Sequence, residues 1–189
     1  MANRDNHYEA AFEAYLRRRQ VPYVAVDETK RTLLGDGSLK SLDFIVSPAE
    51  GQPSWLVDVK GRHFPSGEQK QYWKNWSTRD DLRSLAAWQR LFGAAFRSLF
   101  VFAYEVLGSR APLAAEQLFT FRGRLYGFLA IGLDDFAFHA RPISTAWDTL
   151  AMPTSRFRRL AVPFDALLTL GGANLISGPS LPPSEVLAG

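Results

Sequence analysis

Apolar residues at Tyr8, Ala11, Phe12, Tyr15 and Leu16 recur at the i, i+3, i+4, i+7, i+8 spacing of an amphipathic helix, which predicts a helix over residues 6–20. Asn6 is placed to cap it, Glu9 stands at the third helical position of a capping box, and Pro22 helps to end it. Glu9 falls at the edge of the apolar face beside Leu16. Glu13 turns further toward solvent, in reach of Arg17 at i+4. Of the two glutamates, Glu9 is the one expected to face the interior.

The period then shortens. Residues 23–27 predict a first short strand, 28–38 a turn or loop with Lys30, Arg31, Gly35 and Asp36, and 40–47 a second strand. Pro48 to Pro53, with Gly51, reads as a turn, and 54–60 as a third strand closed by Gly61. Strands two and three form an expected antiparallel hairpin. Residues 61–77 read as a loop in which Arg62, His63, Phe64, Lys70, Tyr72, Trp73, Lys74 and Trp76 interleave aromatics with cations. Such a mixture can stack bases and hold phosphates, or fold over a core with its tryptophans buried. Thr78-Arg-Asp-Asp81 is a capping box opening a helix over 79–92, with Gly93 as its stop. Residues 99–107 are nearly all apolar, as in a central strand covered on both faces.

Beyond that point 117–121 and 124–131 predict a hairpin around Arg122-Gly123. Residues 134–140 predict a short helix or turn, and 147–152 a further strand. Pro163 starts a helix over 164–170 that Gly171-Gly172 stops, and the Gly-, Ser- and Pro-rich stretch from 173 to 189 reads as a flexible tail. The organisation expected is one domain over 1–172, its core at about 6–107 and an extension at about 112–172. The fold class is α/β, a central mixed sheet flanked by helices, extended C-terminally by a β-hairpin.

Charge inside the apolar runs changes the picture. Asp43 lies between Leu42 and Phe44. Asp58 and Lys60, two apart in a strand, point to one face. Unpaired buried charges cost several kcal/mol each (about 2–7 for polar groups alone), so these either pair or serve a site. The plain structural alternatives are an intrastrand Asp58–Lys60 salt bridge and a hydrogen-bonded core carboxylate at Asp43.

The remaining composition narrows the chemistry by exclusion. No cysteine is present, which removes disulfides, thiolate zinc sites and cysteine nucleophiles. His7, His63 and His139 are too scattered for a zinc signature. A net charge of +3 carried mostly by arginine is compatible with a phosphate-rich partner. No apolar run is long enough to span a membrane and the N-terminus lacks an apolar signal region, so a cytoplasmic protein is expected.

In chain order, a helix glutamate (Glu9), Asp43 in the second strand, and Asp58-x-Lys60 in the third resemble the PD-(D/E)xK, restriction-endonuclease-like nuclease superfamily. The pattern is nearest to the archaeal Holliday junction resolvases and covers roughly residues 6–107. Leu42 stands where the name-giving motif has proline. The opening His7-Tyr-Glu-Ala-Ala-Phe-Glu13 also looks like a family of uncharacterised bacterial proteins with a His-Tyr-Glu-x-Ala-Phe-Glu signature, which carries no established activity.

The nuclease resemblance implies an α-β-β-β-α-β core and a Mg²⁺- or Mn²⁺-dependent hydrolysis of phosphodiester bonds in DNA. Asp43, Asp58, the Val59 backbone carbonyl and Glu9 would be metal ligands, and Lys60 would stabilise charge or help to deprotonate water. Arg62, Lys70, Trp73 and Lys74 are the candidate nucleic-acid contacts, and many nucleases of this fold are homodimers. The alternative is a nuclease-like fold without catalysis, kept as a nucleic-acid-binding or protein-interaction module.

Overall fold

The computed structural model describes residues 6–26, 32–34, 37–47, 52–144 and 146–169. Its elements in chain order are α1 (His7–Arg18), β1 (Tyr23–Ala25), β2 (Thr32–Leu34), β3 (Gly37–Leu39), β4 (Phe44–Val46), β5 (Ser54–Phe64), β6 (Ser77–Thr78) and α2 (Arg79–Phe92). They continue with β7 (Phe96–Val106), β8 (Phe119–Phe121), β9 (Arg124–Gly132), α3 (Leu133–His139), β10 (Arg141–Ser144), β11 (Thr149–Ala151), α4 (Thr154–Leu160), β12 (Val162–Pro163) and α5 (Phe164–Thr169).

The main sheet runs β1-β4-β5-β7-β9-β12, with β8 also paired to β9. β5 and β7 are parallel and the other pairings antiparallel, so the sheet is mixed as expected. Along it the chain follows the order helix, three strands, helix, strand. Alternation across the pleat divides the core into two layers. Trp55, Val57, Val59, Leu99, Val101 and Ala103 pack with Phe12 and Leu16 of α1 and Phe164 of α5. Leu56, Phe100, Phe102 and Tyr104 pack with Leu82 and Leu85 of α2, Phe136 of α3 and Phe157 of α4. Among the described residues no helix is long and apolar enough to cross a membrane.

Several expectations are corrected. The predicted second strand from Lys40 is shorter: pairing holds only over Phe44–Val46, because the residues before it are drawn elsewhere. Lys40 N–H donates to Ser84 Oγ at 3.1 Å, and the Lys40 carbonyl accepts from Trp88 Nε1 at 2.8 Å, both on α2. Gly61 does not close β5. The strand continues to Phe64 because all eleven residues pair in parallel with β7, so Arg62 and His63 belong to a strand and not to a loop. Gly61 serves a different need: a Cβ there would fall within the Tyr8 ring of α1.

Residues 32–34 and 37–39 form a small hairpin where a loop was expected. β6, β10 and α4 carry sequence signals too short or too mixed to predict, whereas the strand expected within 147–152 is present as β11. β10, β11 and β6 form a second, three-stranded sheet. The hairpin at Arg122-Gly123 is present, with positive φ at both turn residues. The stretch 27–31, Gly35 and Asp36, the turn at 48–51, and Leu170 with the expected stop and tail at 171–189 lie outside the described residues.

Tyr8 on Gly61 sets the height of α1 over β5, and with it the position of the neighbouring Glu9. Gly61→Ala is expected to destabilise the fold by about 2 kcal/mol, and by much less in a Tyr8→Ala background. A urea-unfolding double-mutant cycle measures the difference, and additive costs contradict this packing.

Candidate active site

β4 and β5 pair only as far as Phe44 and Val57, after which β5 runs on beside β7. A cleft of about 390 Å³ opens there, lined by Asn6, Glu9, Lys40, Ser41, Asp43, Asp58, Val59, Lys60 and Asp81. Its residues come from α1, the segment before β4, β5 and the start of α2. Glu9, Asp43, Asp58 and Lys60 thus share one cavity although they are up to about fifty residues apart in sequence.

Glu9 is buried and accepts a hydrogen bond from the Asn6 side-chain amide, while the Asn6 side-chain oxygen caps α1 through Tyr8 N–H. Glu13 is half-buried, away from the cleft, and pairs with Arg17 at 2.6 Å, as the i+4 spacing predicts. Asp43 is buried, and its Oδ2 accepts from the Val59 amide at 2.6 Å. That bond ties the end of β4 to the point on β5 between Asp58 and Lys60. Lys60 Nζ lies 2.8 Å from Asp58 Oδ1 and 3.1 Å from Asp81 Oδ2. The intrastrand salt bridge therefore exists, and it is half of a larger arrangement.

Asp81 and Lys40 are the site residues that sequence reading missed. The capping box of α2 is formed as expected, Asp81 N–H to Thr78 Oγ1 at 3.1 Å and Thr78 N–H to Asp81 Oδ2 at 3.0 Å. The same carboxylate also accepts from Ser77 Oγ at 3.0 Å and from Lys40 Nζ at 2.9 Å. Lys40 Nζ reaches Asp80 as well, at 3.3 Å. The Thr-x-x-Asp motif located Asp81, but a local motif carries no information about lysines on strand and loop segments far away in sequence.

Burial pushes the Asp58 carboxyl up from the usual range, against the pull of the Lys60 ammonium. For Lys60 burial works the other way, and the carboxylates of Asp58 and Asp81 outweigh it and raise its pKa. Burial likewise opposes ionisation of Asp81, yet Lys60, the Lys40 hydrogen bond and the Thr78 bonds hold it well below the ordinary carboxylate range. Four carboxylates and two ammonium groups line the cleft, a formal excess of two negative charges. Among the described residues no three His, Asp or Glu side chains form a group able to hold a metal ion by themselves.

The candidate nucleic-acid residues do not line this cleft. Arg62 is engaged internally: its guanidinium stacks 3.8 Å over the Trp76 ring, donates to the Gly61 carbonyl at 2.6 Å and to the Trp76 carbonyl, and burial pushes its pKa down to about 10. Trp73 packs against the second core layer beside Phe64, with Arg158 over its ring. Lys70 is exposed and Lys74 half-buried.

Because Asp81 titrates below its unfolded value, its stabilisation is complete above roughly pH 4 and fades as pH falls through the lower folded-state range. Asp81→Asn is expected to cost on the order of 3 kcal/mol at pH 7. Urea unfolding of parent and variant at pH 7 and pH 3 should show that difference shrinking on acidification. A difference independent of pH contradicts the role given to the Asp81 charge.

No protein-family model matches the chain, and no curated protein matches it. Among solved structures the chain is similar to a Holliday junction resolvase from the archaeal hyperthermophile Archaeoglobus fulgidus. The identity is 13% and the TM-score 0.48, over 88% of this chain and 98% of that one.

Proposed function

We propose that the protein is a divalent-metal-dependent nuclease that hydrolyses phosphodiester bonds in DNA, with Glu9, Asp43, Asp58 and Lys60 as its catalytic residues. The observation that carries the reading is the lining of the cleft: Glu9, Asp43 and Asp58 come together there with Lys60, and with Asp81 and Lys40 the cleft has four carboxylates and two lysines, a formal excess of two negative charges.

The donor set suits a hard cation. Mg²⁺ takes oxygen ligands, keeps several of its waters, and is commonly held by only one or two carboxylates together with substrate phosphate, so a closed set of three protein ligands is not required. Asp43 and Asp58 would hold it, with Glu9 and the Val59 carbonyl as further candidate oxygens from the cleft lining. Such an ion polarises a phosphoryl oxygen and offsets the charge that develops on it. The chain's own groups then have distinct tasks. The Val59 N–H keeps one Asp43 oxygen oriented, and Asn6 does the same for Glu9. Lys60, paired with two carboxylates, is held as a cation and suits stabilisation of a phosphorane-like charge better than removal of a proton from water. The high Lys60 pKa agrees in direction.

The test is cleavage of plasmid, linear, branched and single-stranded DNA in the presence of Mg²⁺ or Mn²⁺. Parent protein should cut at least one of these and lose the activity when the metal is chelated. Asp58→Asn and Lys60→Met should each lower the rate by roughly a hundredfold or more. Cleavage that survives either change at the parent rate would remove these residues from the chemistry. Binding of DNA with no cleavage under any metal would favour a non-catalytic binding module.

A further inference from the structure

Lys40 has no part in the proposed chemistry, yet both its backbone and its ammonium are anchored at the cleft. Its backbone is anchored to α2 on both sides, N–H to Ser84 and carbonyl to Trp88. Its ammonium rests on Asp81 Oδ1 at 2.9 Å, while Lys60 holds the other oxygen of the same carboxylate at 3.1 Å. One buried aspartate therefore spaces two cations along a single wall. The two differ in access. The Lys60 side chain is 17% exposed and bonded at Asp58 too, whereas that of Lys40 is 36% exposed, and its second partner, Asp80, is 50% exposed. A solvated surface lysine needs no such anchoring of its backbone, and this one lines the cavity.

We propose, resting on the nuclease reading above, that Lys40 is a second phosphate contact of the cleft, with Asp81 as its positioning residue. The favoured substrate is then a polynucleotide whose phosphate next to the scissile one is bound by Lys40, and not an isolated phosphodiester. Lysine serves phosphate as a compact point charge with rotatable donors. On binding, the Lys40 ammonium exchanges an Asp81 or Asp80 oxygen for a phosphate oxygen. Asp81 stays bonded to Lys60, Ser77 and Thr78, so no carboxylate is left stranded.

Two measurements on the protein test this. The first is binding of a fluorescein-labelled single-stranded 12-mer and its duplex to Asp58→Asn and to Asp58→Asn/Lys40→Ala, in Ca²⁺, over a salt series. Loss of one phosphate contact should reduce the slope of log K against log salt by about 0.7 to 0.9. The second compares parent and Lys40→Ala on an oligonucleotide and on bis(p-nitrophenyl) phosphate, which has a single phosphate. KM for the oligonucleotide should rise roughly tenfold with kcat little changed, KM for the small ester should stay put, and Lys40→Arg should restore the oligonucleotide KM. For Asp81, Asp81→Glu should keep most of the oligonucleotide affinity that Asp81→Ala loses. An unchanged salt slope, or equal KM increases on both substrates, overturns the role of Lys40 while leaving the nuclease reading intact. Absence of any DNA binding or cleavage by the parent overturns the nuclease reading itself, and this inference with it.

Discussion

Lys60 stands between Asp58 on its own strand and Asp81 at the start of α2, and that one ammonium joins the sheet to the helix. In isolation none of the three charges belongs where it is. A buried ion pair gains little over a hydrophobic replacement, and removing one partner is costly because the other is left uncompensated. Here the costs are met by number. Asp81 accepts from Thr78, Ser77, Lys40 and Lys60, so its charge is spread over four partners. The N-terminal turn of α2 favours that carboxylate further.

The same arrangement shapes the cleft. Asp81 fastens both lysines to the start of α2, and Asp58, Glu9 and Asp43 line the same cleft. The Asp43 bond to the Val59 amide fixes where β4 leaves β5 and so where the cavity opens. Tyr8 packed on Gly61 brings α1, and Glu9 with it, down to that opening. A cleft lined by both carboxylates and ammonium groups suits a ligand that is itself a divalent cation bound to a polyanion.

Long periodic or uniform stretches of the fold were legible in the sequence. The apolar stripe of α1, the Thr78–Asp81 capping box with Gly93 after α2, and the unbroken apolar run of β7 each carried their own evidence. Asp43, Asp58 and Lys60 stood out because they interrupt apolar runs, and Glu9 through its helix phase. What sequence could not supply is set by distant contacts. Gly61 reads as a strand stop until Tyr8 is seen to need the space. Lys40 reads as a strand residue until Ser84 and Trp88 claim its backbone. Arg62 reads as a free cation in a loop, whereas pairing with β7 and the Trp76 ring turn it inward. Asp81 reads as a helix cap, which it is, and its second task depends on lysines twenty-one and forty-one residues earlier.

The central claim is that the carboxylates of this cleft form a single site for a divalent cation. Calorimetric titration with Mn²⁺, parent against Asp43→Asn, tests it most directly, since it needs no substrate and no turnover. Asp43 is the telling position because its carboxylate is oriented by the Val59 amide, whereas Lys60 is bonded to Asp58 and Asp81. Saturable binding by the parent that weakens at least tenfold in Asp43→Asn, with both proteins equally stable to urea, is the predicted result. Binding of equal strength in the two proteins, or none in the parent, contradicts the account.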